Sequence, residues 1–136
     1  MGTWSIEPFG NDDAADWAAE LEESNDPSLI QEAINAILAV GDEYLEAPDA
    51  TVAVAAIDVL ARIAGNFGEL TSYTEALDSW VEGLEFTPDP ELIDKALKAL
   101  DRILAEDSEL RELWEESDEF DAWKTSMQAL RERVVA

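Results

Sequence analysis

Apolar positions recur at helical spacing along most of this chain, and the longest apolar block lies in its middle. From Asp49 to Gly65 the sequence reads Asp-Ala-Thr-Val-Ala-Val-Ala-Ala-Ile-Asp-Val-Leu-Ala-Arg-Ile-Ala-Gly. After Thr51 only Asp58 and Arg62 interrupt the run. They stand four apart, so they share one helix face and can pair. A helix that is apolar on nearly every side has to be covered on nearly every side. The block therefore predicts the central helix of an all-α domain, with Ile57 and Leu60 in its core.

The flanking segments predict its cover. Met1–Gly10 is an aromatic strap in which Trp4 and Phe9 are expected to pack on the helices and tie the terminus down. Asn11 caps a first helix, whose Ala14, Trp17, Ala18 and Leu21 follow the i, i+3, i+4, i+7 spacing of a buried stripe. Asp26-Pro27 opens a second helix running to about Glu46, with Leu29, Ile30, Ala33, Ile34, Ile37, Val40, Tyr44 and Leu45 inward and a bend at Gly41. Pro48 ends the connection and Asp49 caps the central helix, which Gly65 and Asn66 terminate. The capping box Ser72-x-x-Glu75 opens a fourth helix with Tyr73, Leu77, Trp80, Val81 and Leu84. Asp89-Pro90 opens a fifth, followed by a short helix with Leu110, Leu113 and Trp114. A last helix carries Phe120, Trp123, Met127, Leu130 and Val134 at intervals of three and four, a stripe read as core. The expectation is six to seven helices in one compact domain over residues 1–136, anchored on Trp4, Phe9, Trp17, Leu21, Ile57, Leu60, Trp80, Leu84, Trp114 and Trp123.

The chain also resembles itself at an offset of 63 residues. Trp17, Leu21 and Glu22 match Trp80, Leu84 and Glu85; Asp26-Pro27-x-Leu29-Ile30 matches Asp89-Pro90-x-Leu92-Ile93; Ala33 and Ala36 match Ala96 and Ala99. That predicts two similar helical units, 11–65 and 72–136, stacked as a short solenoid that buries one shared core.

Charge changes the picture most. There are 33 acidic and 8 basic residues, a net charge of −25, and no Lys or Arg precedes Arg62. Asp12, Asp13, Asp16, Glu20 and Glu23 form an acidic arc beside the stripe of the first helix and are the candidate partner-binding residues. Such a surface repels nucleic acid and anionic membranes and attracts cations, so the expected partner is a basic protein. With neither histidine nor cysteine, the chain has no His-based triad, no thiol nucleophile and no usual zinc site. No phosphate-binding glycine loop is present. Asn11-Asp12-Asp13 lacks the alternation of a calcium loop and reads as a helix cap with solvated charge. No catalytic, cofactor or metal residues are assigned. The N-terminus lacks a signal-peptide pattern, and Ile6 stands where a myristoylation signal requires Ser or Thr. The apolar run is too short to span a bilayer, which makes the cytoplasm the default location.

Met1-Gly2-x-Trp4-Ser5, Phe9-x-Asn11-Asp12-Asp13-Ala14-x-Asp16-Trp17-x-x-Glu20-Leu21, and later Leu113-Trp114-Glu115-Glu116-Ser117 with Trp123 resemble the bacterial domain of unknown function 4259 family. The resemblance implies a small bacterial helical protein and no particular activity. The expected function is that of a non-enzymatic interaction module, inhibitor-like or immunity-like. A nucleic-acid mimic, a carboxylate- and metal-dependent enzyme, and adaptation of the surface to a salty cytoplasm are the alternatives.

Overall fold

The computed structural model describes residues 12–24, 28–41, 43–65, 75–83 and 88–135, with only the helical backbone for Asp12, Ala76 and Leu77. These residues form seven helices: α1 (Asp12–Ser24), α2 (Ser28–Val40), α3 (Ala47–Ile63), α4 (Glu75–Glu82), α5 (Pro90–Leu104), α6 (Glu109–Glu115) and α7 (Phe120–Val135). The all-α architecture expected from the sequence is what forms. Trp4, Phe9, Asn11, Asp26, Asn66, Ser72, Tyr73 and Leu84 lie outside the described residues.

Helix α3 is the axis of the molecule, and every other helix packs against it. Thirteen of its seventeen residues are buried. Ala50, Ala53, Ala55 and Ala56 let neighbouring backbones approach closely, while Ile57 and Leu60 supply bulk. A side chain of that size contributes about 1.5–3 kcal/mol when fully buried. Around this axis α2 pairs with α5, α1 with α4, and α7 lies across α3 and α5.

The start of α3 differs from the sequence expectation. Pro48 does not end a connection but sits within the first helical turn, where its missing N–H is harmless. Glu46 occupies the cap position without a side-chain bond. The cap comes from a distant element: Glu109 of α6 accepts a hydrogen bond from the Ala47 N–H at 2.8 Å, and its charge also complements the helix dipole. The other end behaves as expected, with Gly65 in the left-handed region at φ 95°.

Helix α2 is shorter than its apolar periodicity implies. It stops at Val40, because Gly41 adopts φ 61° and the chain turns away. The chain bends at Glu43, is extended at Glu46, and between them Leu45 makes a parallel bridge with Ser108. Leu45 N–H donates to Asp107 O, and Glu109 N–H donates to Leu45 O, both at 2.8 Å. The guanidinium of Arg102 clasps the two turns, donating to the carbonyls of Gly41, Glu43, Glu106 and Asp107. Tyr44, expected inward as part of a longer helix, is 49% exposed.

Asp89 caps α5, accepting from Leu92 N–H at 2.8 Å. Helices α6 and α7 are joined by stacked aromatic rings. The Trp114 and Trp123 centroids lie 6.3 Å apart with planes 10° from parallel, and Phe120 stacks on Trp123 at 6.1 Å. Trp123, Met127, Leu130 and Val134 are all buried, so the stripe on α7 faces the core.

Trp17, Leu21, Ile57, Leu60, Trp114 and Trp123 are buried, whereas Trp80 is only partly covered. The two repeat-related tryptophans therefore differ in environment. Trp17→Ala is expected to destabilise the fold by about 3–5 kcal/mol, and Trp80→Ala by clearly less. Urea unfolding midpoints of the two variants beside wild type check this, and equal losses would contradict it.

Candidate functional site

The acidic arc of α1 follows from the same geometry that buries its other side. Ala14, Trp17, Ala18 and Leu21 are turned into the core. The remaining arc leaves Asp13, Asp16, Glu20 and Glu23 exposed. Asp12 belongs to the first turn of the helix, but its side chain is not among those described. The four exposed carboxylates are spaced along the axis by about 4.5–6 Å at the ordinary helical rise. None of them takes part in an ion pair among the described residues. Glu22 lies at the edge of the stripe, and partial burial raises its carboxyl pKa.

Helix α4 packs beside α1 and carries exposed Glu75 and Glu82. Helices α1, α2 and α4 contain no Lys or Arg, and α3 contains only Arg62. Arg62 is 3% exposed. No cation on these four helices can therefore neutralise the acidic surface from outside.

Arg62 is instead consumed inside the protein. Its Nε donates to Asp58 Oδ2 at 2.6 Å, the i, i+4 pair expected from the sequence, and its Nη1 donates to Asp78 Oδ1 of α4 at 2.7 Å. Asp58 is fully buried, and its other oxygen, Oδ1, lies 2.6 Å from Arg133 Nη1 of α7. The first two contacts are aligned hydrogen bonds; the third is a charge contact without that alignment. The result is an alternating series, Asp78–Arg62–Asp58–Arg133, linking α4, α3 and α7. Burial alone would lower the pKa of Arg62 and is the largest influence on it. The combined fields and hydrogen bonds of Asp58 and Asp78 outweigh that, leaving the pKa above its ordinary value. A raised basic pKa stabilises the fold below the unfolded pKa and stops doing so only as pH rises through the folded one. For an arginine that window lies beyond working alkaline conditions, so the guanidinium stays charged throughout the useful pH range. The sequence pointed to the Asp58–Arg62 pair; Asp78 and Arg133 carry no local signal that would join them to it.

The remaining cations are also engaged. Lys95 pairs with Glu91, Lys98 with Asp94, Arg111 with Glu115, Lys124 with Asp121 and Arg131 with Asp101, while Arg102 clasps the two turns. All eight basic side chains thus have partners within the chain, and most of the remaining carboxylates among the described residues are exposed.

A second acidic region lies where α5 turns into α6. A cavity of about 260 Å³ is lined by Glu106, Asp107, Ser108, Arg111, Glu112 and Glu115. Tyr44 stands beside it and donates its hydroxyl to Glu112 at 3.3 Å. Local desolvation and then the charges of Glu112, Glu109 and Asp107 push the phenol pKa upward. Among the described residues, no three carboxylates are disposed to hold a metal ion, and no helix is long and apolar enough to cross a membrane.

A match to the model for the domain of unknown function DUF4259 extends over residues 2–126. The chain belongs to that family. No curated protein and no solved structure matches the DUF4259 chain. The family match thus agrees with the likeness carried by the Trp4, Asn11-Asp12-Asp13 and Trp17 pattern, and it assigns no chemistry to any residue.

Two predictions follow from these contacts. Asp58→Asn leaves two guanidinium groups facing one buried amide, so it is expected to cost about 3–5 kcal/mol, read from urea unfolding; a loss below 1 kcal/mol would mean water reaches the site. In a Tyr73→Phe background, ultraviolet titration should show Tyr44 ionising above the ordinary tyrosine range. Glu112→Gln should lower that midpoint, and an unchanged midpoint would exclude the contact.

Proposed function

We propose that this DUF4259 protein is a non-enzymatic interaction module that docks a basic protein partner on the exposed acidic side of α1 and α4, acting as an inhibitor or immunity-like protein. One observation carries the reading. Helices α1 to α4 present exposed carboxylates, their single cation is buried, and the other seven are engaged elsewhere. A surface left uncompensated by its own chain is compensated by solvent cations or by a partner. A basic partner releases those cations and is steered toward the face by its field.

The spacing of Asp13, Asp16, Glu20 and Glu23 along one exposed helix also favours a narrower form of this reading. In it, the carboxylates imitate backbone phosphates and block a protein that binds nucleic acid. The tandem organisation belongs to the same proposal. It is supported by the packing of α1 on α4 and α2 on α5, the helices the internal repeat equates. The bridged pair Leu45 and Ser108 is itself separated by the repeat offset.

The test is capture from host lysate at low and high salt. The baits are wild type and the variant Asp13→Asn, Asp16→Asn, Glu20→Gln, Glu23→Gln. Removing like charges at helical spacing leaves the fold intact or slightly firmer. The expected result is a basic protein bound at low salt, released at high salt and lost with the neutralised bait. Equal capture by both baits, or by neither, assigns the acidity to solvation in a salty cytoplasm. Turnover that depends on added magnesium or manganese would replace the proposal with an enzymatic one.

A further inference from the structure

A buried ion pair is weak grounds for stability, because desolvation offsets most of the attraction. Asp78, Arg62, Asp58 and Arg133 therefore call for a reason beyond the strength of the fold. The series holds two negative and two positive charges in alternation, and among the described side chains they sum to zero. Its ends lie on different helices: Asp78 on α4 is bonded to Arg62, and Arg133 on α7 is paired with Asp58. Its middle is the 2.6 Å pair inside α3. The side chains of Asp58 and Arg62 are 1% and 3% exposed, and those of Asp78 and Arg133 are 15% and 22% exposed. The outer members can thus reach solvent when their helices shift, while the inner pair cannot.

We infer that these four residues form one charge-balanced unit that couples the seating of α4 to the seating of α7. If α4 withdraws Asp78, the interior is left with an excess positive charge, which weakens the hold on Arg133. If α7 withdraws Arg133, the interior is left with an excess negative charge, which weakens the hold on Asp78. Loss of both leaves the neutral Asp58–Arg62 pair. The coupling is therefore favourable between two helices that each contact α3. Substitutions at independent sites ordinarily add; here neutrality makes the second loss easier than the first. A cationic group on a partner that draws Asp78 outward has the same effect as withdrawing the helix. The coupling itself stands without that partner, and only this last step rests on the docking reading.

The experiment is a double-mutant cycle on the full chain with Asp78→Asn, Arg133→Gln and the combination, read by urea unfolding. Each single substitution is expected to raise the unfolding equilibrium constant about tenfold or more. The double substitution is expected to raise it by roughly tenfold less than the product of the two. A product obeyed within about twofold would overturn the proposal. Native-state hydrogen exchange supplies a second readout. Asp78→Asn should quicken exchange in α7 more than in α2, which contributes no member to the series; equal acceleration in both, or none in α7, overturns it. If Asp78→Asn does not fold, Asp78→Glu with the same exchange comparison takes its place, and the same outcomes decide. Loss of lysate capture by the α1 variant would leave these results untouched, so the two proposals fail separately.

Discussion

Asp58 has to keep a negative charge in a place stripped of water, and much of the structure can be understood from that requirement. It lies in the helix that all the others cover. Covering α3 buries a large apolar area, but it also removes solvent from Asp58 and Arg62. An isolated buried ion is prohibitively unfavourable, and one partner satisfies only part of its demand. Arg62 brings a second charge into the interior and thereby needs Asp78; Asp58 has a second oxygen and thereby needs Arg133. The apolar alternation of α4 and α7 would tolerate several small shifts against α3. The charges tolerate few, because each oxygen and nitrogen has to arrive within bonding distance. Hydrophobic burial supplies the drive, and the charged series restricts how α4 and α7 can sit.

What was legible in the sequence was what depends on near neighbours. The apolar run of α3 has no reading other than a covered helix, and Asp58 and Arg62 are one turn apart. The stripe of α1 and its acidic arc follow from period alone, as does the inward row of α7. The Asp89 cap is visible because the capping carboxylate and the N–H that donates to it lie within one turn. Three features escaped for a physical reason. Periodicity carries α2 past Gly41, but a single positive φ ends it and turns Tyr44 outward. Pro48 after the second helix has the look of a stop, but proline is equally at home in a first turn, which is where it sits. Asp78, Arg133 and the Glu109 cap act across long stretches of chain, and nothing local distinguishes them from other surface-type charges.

The positive charges of this chain do structural work, and the negative ones are left over. Arg62 and Arg133 neutralise the interior, Arg102 gathers the carbonyls of two turns, and the exposed pairs on α5, α6 and α7 offset neighbouring carboxylates. Pairs of that exposed kind contribute little individually, and all of them except Arg131–Asp101 stand at helical spacing in the sequence. The surface of α1 and α4 receives no such compensation. Its charge is not required by the packing beneath it, since Ala14, Trp17, Ala18 and Leu21 would bury equally well under uncharged neighbours.

Salt separates these two populations of charge. Exposed carboxylates interact through water and are screened within a Debye length of about 8 Å at physiological ionic strength. The inner pair of the series through α3 is enclosed, and the contacts of 2.6–2.7 Å along the series leave no room for ions between the partners. Raising ionic strength relieves repulsion along α1 while leaving Asp58 held between its arginines. The fold therefore keeps its internal order under conditions that erase the external field. A function exercised through that field is one that ionic strength can turn off without unfolding the protein. The acidity of α1 and the acidity inside α3 are thus governed by different physics, and only the former is free to act on another molecule.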